Sequence, residues 1–361
     1  MLESTKEERE DMKADKWNKM VVGGTAAILL FIAGVTAWID PFLHYHRTLD
    51  KFEYPLKDER YQNDGILRNY SYNAIITGTS MAQNFKTSEF DALWGASSVK
   101  VCFSGASFKE VDENVRRALK YNDDIEYVVR SLDGNRLNYP ADLDEYENYP
   151  TYLYDDKIFN NVQYLLNKEV VPKTLAVVNY TRAGELTPTW DEYGSWSRYK
   201  AFGKEEVFRT WSEYAEQEEA YLLQPEDYNQ IRENIRKNVL QTALENEEVT
   251  FYLFIPPYSI CYWDTLVRTK QMDAQLSAEQ TAVEMLLQAD NVHIYAFDDR
   301  VEVISNLDNY TDALHYGEWI NSEILRWMNT GEGELTKDNY VEYFEKLRRI
   351  YSAYDFSELQ E

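Results

Sequence analysis

The sequence predicts an α/β fold built on a parallel sheet and tethered by an N-terminal membrane helix. Three observations lead there. Short apolar, β-branched runs recur, each closed by a loop bearing Gly, Ser or Pro, and helical patterns alternate with them. That alternation implies right-handed crossovers between parallel strands. Next, Val21–Ile39 is a run of 19 residues without a charge, close to the ~20 that cross a hydrocarbon core as a helix. Finally, the 361 residues are 44% hydrophobic and 15% aromatic, enough to bury the core of one large or two ordinary domains.

Taken from the N-terminus, residues 1–20 are a cytoplasmic segment, 21–39 the transmembrane anchor and 40–71 a juxtamembrane connector. Trp17 and Trp38 bracket the span as interfacial anchors. Lys6, Arg9, Lys13, Lys16 and Lys19 precede it, against Arg47, Lys51 and Lys57 after it. This bias puts the N-terminus inside and the body outside, in a single-pass protein of the cell membrane. Val35-Thr36-Ala37 resembles a signal-peptide cleavage site. The long leading segment and the apolar Pro41-Phe42-Leu43 favour an uncleaved anchor instead. His44 and His46 read as packing beside Phe42 and Tyr45, because two histidines without a Cys or acidic cluster make a poor metal site.

The α/β domain spans 72–330. Its first strand, Ala74–Thr77, has the apolar, β-branched character of a strand buried on both faces. A short helix over Ser88–Trp94 stops at Gly95. Val99–Phe103 is the second strand. Ser107-Phe108-Lys109-Glu110 then forms a capping box for a helix to about Lys120, with Phe108, Val111, Val115 and Leu119 on one face. Ile125–Val129 is the third strand. From 136 to 248 the rhythm breaks into a Tyr-rich insertion, helical near Asp156–Asn167, Lys204–Ala220 and Glu226–Leu244. It is expected to pack over the sheet's carboxyl edge as a lid or substrate wall, and its Tyr193, Trp196 and Tyr199 suit stacking on sugars. Val249–Ile255 resumes the sheet and Pro256-Pro257 closes that strand. Ser277–Ala289 is another capped helix and Val292–Ala296 a fifth strand. The segment after His315 and the acidic tail, 331–361, read as helical.

Charge narrows the partners. With 63 acidic against 37 basic residues the formal charge is −26, which disfavours nucleic acid and anionic membrane surfaces, both polyanions. Neither Gly-x-Gly-x-x-Gly nor Gly-x-x-x-x-Gly-Lys-Ser/Thr follows any strand, so a phosphate-binding doubly wound domain is disfavoured too. Cys102 and Cys261 are too few for a disulfide scaffold. They read as core residues, with one bridge open to them.

The chemistry sits at strand ends. Ser80 follows the permissive Gly78 by two residues, at the carboxyl end of a central strand, where open α/β sheets keep their ligands. Far downstream, Asp312-Ala-Leu-His315 supplies a carboxylate and an imidazole able to meet across one tight turn. Serine needs a base to take its proton, imidazole does this near neutral pH, and a carboxylate must hold the imidazole in one tautomer. Of the four histidines, His44 and His46 are juxtamembrane and His293 lies in an apolar strand. That leaves His315 as the base. An oxyanion needs preorganised donors, and the backbone N–H groups of Ser80 and Gly105 stand on adjacent strand ends.

Read in order, Gly78-Thr79-Ser80-Met81, Gly105, Asp133-Gly134-Asn135 and Asp312-x-x-His315 resemble the blocks of the SGNH/GDSL hydrolases over about residues 72–330. With its N-terminal anchor the chain is similar to envelope proteins of Gram-positive bacteria, which in turn resemble the anchored serine protein of teichoic-acid D-alanylation. Three departures stand out. Thr79 replaces the aspartate usual before the serine, Gly134-Asn135 lacks the spacer of a Gly-x-Asn-Asp block, and Tyr316 follows the histidine where proline is frequent. The resemblance implies a flavodoxin-like three-layer sheet, a Ser80-His315-Asp312 triad, Asn135 among the oxyanion donors, and neither metal nor other cofactor.

The expected function is a membrane-anchored extracytoplasmic serine esterase or O-acyltransferase acting on acyl esters of a cell-envelope glycopolymer. Its partners would be that glycopolymer or another acyl-carrying substrate, with a membrane-bound O-acyltransferase beside it. The alternative from another class is a non-catalytic assembly factor that grips polymer or a membrane acyltransferase.

Overall fold

The computed structural model describes residues 2–144, 150–155, 157, 161–211 and 219–360. Two compact units emerge, Met1–Pro55 with Pro150–Thr187, and Leu56–Tyr149 with Pro188–Glu361.

In the first unit, Leu2–Ile39 is one continuous helix. Its charged leading turns are not set off from the apolar run, and Lys19 pairs with Asp15 one turn back. Within it, Met12–Ile39 is long and apolar enough to cross a membrane. The chain then reverses through Asp40 and Leu43, both at positive φ. Buried Asp40 organises the reversal: its carboxylate accepts the N–H groups of His44, Tyr45 and His46 and the hydroxyl of Tyr164. Burial pushes this carboxyl up, and the Tyr164 hydroxyl, the Tyr45 and His46 amides and the charge of His46 offset part of that. His44 packs against Tyr45 and Tyr164, an aromatic setting of the kind expected for it.

Residues 150–187 were expected in an insertion over the sheet; they belong instead with the N-terminal helix. The helices Val162–Leu165 and Val170–Arg182 pack against it. The physical reason lies in the irregular backbone at Glu53 and Tyr54, which lies outside any strand and takes its hydrogen bonds from this segment. Glu53 N–H donates to Thr181, Tyr54 N–H to Thr187, and the Thr187 hydroxyl to the Glu53 carboxylate. Of the helices expected near Asp156–Asn167 and Lys204–Ala220, residues 156, 158–160 and 212–218 lie outside the described residues. The described parts hold Val162–Leu165 and Lys204–Thr210.

The second unit is built on a sheet of β1 Ala74–Thr77, β2 Ser98–Lys100, β3 Tyr127–Ser131, β4 Thr250–Ile255, β5 Val292–Ala296 and β6 Glu334–Leu335. The order is β2-β1-β3-β4-β5-β6. The first five strands are parallel and β6 runs antiparallel to β5. All four residues of β1 are buried, as its unbroken apolar run requires. Helices cover both faces. Asn114 of Phe108–Tyr121 reaches the Thr77 hydroxyl, while Phe90 of Thr87–Trp94 packs on Tyr127, whose side chain lies on the opposite face by strand alternation.

Several expectations need correction. Residues 59–69, expected within the connector, form a helix, Glu59–Asn69, with a largely buried middle. The third strand runs two residues further along the chain than expected and takes Arg130 into the core. Arg130 donates to the Asn238 and Phe108 carbonyls, and burial pulls its guanidinium down to about 10. Asn238 sits in a π turn, Arg236–Leu240, where the i→i−4 ladder is interrupted and a carbonyl can serve another donor. Ser277 caps nothing, since the helix begins at Met272. Lys270 at φ 52° turns the chain before it, after a helix Ile260–Arg268 that the sequence did not signal. The acidic tail contributes β6 before its helix Tyr340–Ala353. Cys102 and Cys261 are buried and free.

Candidate active site

In this strand order the chain passes from β1 to β2 on one side and then crosses to β3 on the other. The crevice beyond the carboxyl ends of β1 and β3 is therefore the switch point, where open α/β sheets bind ligands. Gly78-Thr79-Ser80 leaves β1 and Ser131-Leu132-Asp133 leaves β3 at this place. Gly78 is at φ 137°, and a β-carbon there would lie 2.3 Å from Ser131 Oγ, so only glycine lets the two strand ends approach.

A buried carboxylate ties these ends together. Asp133 accepts the Thr79 hydroxyl and the Ser131 hydroxyl, each at 2.7 Å. Ser131 Oγ in turn accepts the Thr79 N–H, and Thr79 Oγ1 accepts the Met81 N–H, both at 3.3 Å. Thr79 thus satisfies the opening N–H of the serine turn from within. Burial pushes the Asp133 carboxyl up, against the pull of these two hydroxyls.

Ser80 and His315, 235 residues apart, meet here. Ser80 Oγ lies 2.8 Å from His315 Nε2. His315 Nδ1 lies 2.8 Å and 3.0 Å from the two Asp312 oxygens. Asp312 Oδ1 also accepts the N–H groups of Leu314 and His315, which folds the turn around its own carboxylate. Burial pushes the Asp312 carboxyl up, but the His315 ring and the two amides outweigh it and hold the group below the ordinary carboxylate range. The turn is pinned from outside as well. Tyr310 and Tyr316 form an isolated bridge, and the Ser259 hydroxyl donates to the Ala313 carbonyl at 2.7 Å. The His315 and Asp312 side chains keep 29% and 32% of their exposure, so the imidazole is open to a reactant.

The donors expected for an oxyanion are free to act. Among the described residues, neither the Ser80 N–H nor the Gly105 N–H has a hydrogen-bond partner. Gly105 holds φ 65°, in the left-handed region that glycine tolerates. The Tyr258 hydroxyl donates to Asn135 Oδ1 at 3.2 Å, which leaves the exposed Asn135 Nδ2 without a partner among the described residues.

Trp196 is a further site residue, and in a role the sequence did not suggest. Its indole N–H donates to the Ser80 carbonyl at 3.0 Å, and its ring stands edge-on to His315 at 5.3 Å. Asn84, four residues after the serine, holds that loop by accepting from the Ser195 hydroxyl and the Trp196 and Ser197 amides. Tyr193 is buried and donates to Asn63, so its ring is no sugar platform; Tyr199 is exposed. Among the described residues no group of His, Cys, Asp and Glu could hold a metal ion. His293 stands apart, paired with Glu334 across β5 and β6.

The chain matches no known protein-family model, and no curated protein resembles it significantly.

Proposed function

We propose that this protein is a serine esterase or O-acyltransferase of the SGNH type, anchored in the cell membrane with its sheet unit outside, acting on acyl esters of an envelope glycopolymer. The observation that carries the reading is the Ser80–His315–Asp312 chain of contacts at 2.8 Å each. The strand order β2-β1-β3-β4-β5 is that of flavodoxin-like sheets and supports the fold side of it.

In this mechanism Ser80 Oγ attacks the acyl carbonyl carbon and its proton passes to His315 Nε2. Asp312 keeps the ring proton on Nδ1 and stabilises the imidazolium. The Ser80 and Gly105 amides, joined by Asn135 Nδ2, receive the oxyanion. Collapse breaks the ester bond, and the departing alkoxide takes the proton from His315. The acyl-Ser80 ester is then cleaved in the same way by water or by a sugar hydroxyl.

The test is phosphonylation of the full chain in detergent by a fluorophosphonate. The expected result is one adduct, on Ser80 by peptide mass, absent from Ser80→Ala and strongly slowed in His315→Ala. A folded wild-type protein that resists the reagent, or carries the adduct elsewhere, would overturn the enzyme reading in favour of an assembly factor.

A further inference from the structure

Along the Leu2–Ile39 helix every residue from 12 to 31 is exposed, and cover begins only at residue 32, with Thr36 and Ile39 buried. The cover is the helical pair Val162–Leu165 and Val170–Arg182, whose inward positions are Tyr164, Val170, Thr174 and Val177. Length decides at what depth this contact lies. The uncharged run 21–39 rises about 28 Å at ~1.5 Å per residue, against ~30 Å of hydrocarbon. Were the covered turns to stand clear of the bilayer, residues 21–31 would be left to span it with about 16 Å. Lys19, Lys16, Asp15 and Lys13 would then be drawn into hydrocarbon, where charges are costly. The covered turns therefore lie within the bilayer, and so does what packs on them.

Apolar side chains that fit that position face outward on the pair, beside the exposed polar Gln163, Asn179 and Arg182. Val162 is 62% exposed and Leu175 58% exposed; Leu166 and Trp38 are exposed in the same unit. Lys168 and Lys173 are exposed too, with stems long enough to carry their charge to the headgroups. Charge agrees. The first unit holds 11 Lys/Arg against 13 Asp/Glu, a net −2 of the chain's −26. The acidity that disfavours an anionic surface for the whole chain is thus confined to the sheet unit, and this unit meets no such repulsion.

We propose that the pair Val162–Leu165 and Val170–Arg182 is a membrane-embedded collar, inserting its exposed apolar side chains into the leaflet that the last turns of the N-terminal helix cross. The occupant of this surface is a phospholipid bilayer. The proposal rests on reading that helix as a span, and the experiment separates the two. Nitroxides are attached to single cysteines in the full chain, reconstituted into phosphatidylcholine–phosphatidylglycerol vesicles. Leu175→Cys and Val162→Cys probe the collar, Leu30→Cys the span, and Glu185→Cys serves as the aqueous reference; the native cysteines are buried and stay unlabelled. Relaxation by oxygen is compared with relaxation by a water-soluble nickel chelate. The collar requires an oxygen-to-nickel ratio severalfold higher at 175 and 162 than at 185, as at 30. Ratios at 175 and 162 equal to that at 185, with 30 still in lipid, overturn the collar and leave the span standing. Nickel access at 30 overturns both.

Discussion

In an Asp312→Asn protein the side chain keeps its shape and loses its charge, and its hydrogen bonds fare differently. The oxygen that accepts the Leu314 and His315 amides, both at 2.9 Å, is replaced by an amide oxygen that accepts them as well. The oxygen 2.8 Å from His315 Nδ1 becomes an NH2 group, a donor. It can meet Nδ1 only if that nitrogen is an acceptor, and the retained oxygen, 3.0 Å from Nδ1, already takes two amides, so the NH2 contact moves the ring proton to Nε2. Nε2 then faces Ser80 Oγ, 2.8 Å away, with a proton already in place and cannot act as base. A wrong tautomer of this kind costs roughly 10⁴-fold in rate, or about 5.5 kcal/mol of barrier. The fold should lose only about 1 kcal/mol, the difference between a charge-assisted bond and a neutral one. The assay is the rate of Ser80 phosphonylation, with hydrolysis of p-nitrophenyl acetate beside it, and thermal unfolding of the same samples. A variant that reacts within about tenfold of wild type, where the tautomer argument demands ~10⁴, would refute the role assigned to Asp312. So would a rate loss accompanied by unfolding.

Two further outcomes are expected. Trp196→Phe keeps a ring beside His315 and removes the N–H that holds the Ser80 carbonyl; losing a bond of ~0.5–1.5 kcal/mol should slow phosphonylation by roughly two- to tenfold, and an unchanged rate would show that this bond does not position the turn. The second concerns pH. Burial pushes Glu279 up to about 7 and raises its buried neighbour Asp298 as well, while half-buried Glu59 is pushed up to about 7 by the same cause. Native carboxyls here hold protons that the unfolded chain releases near 4.5. What these groups contribute to stability is therefore greatest below that value and is lost as pH rises through about 7. Melting temperatures measured from pH 5 to pH 8 should decline, less steeply in Glu279→Gln; a wild-type rise over that range would contradict the assignment.

The sequence by itself was enough for what depends on near neighbours. β1, β4 and β5 stand where their apolar runs put them, to within a residue, because a buried strand must be apolar along its length. Asp312 and His315 could be paired from their spacing, since one turn brings residues three apart into contact. The apolar run at 21–39 likewise announced itself by composition.

Tertiary structure alone decided the rest. Arg130 entered the core because a carbonyl of a π turn 108 residues away and the Phe108 carbonyl accept its guanidinium there. Ser277 has the residues of a cap, but the helix starts before it, where Lys270 turns the chain. Residues 150–187 left the sheet for the N-terminal helix because the backbone around Glu53 and Tyr54 finds its acceptors there. Asp133, Asn84 and Trp196 reach the serine turn across 54, 111 and 116 residues or hold what does. No local pattern encodes such bonds: a buried polar group must find a partner somewhere, and which partner is near depends on how the whole chain has packed.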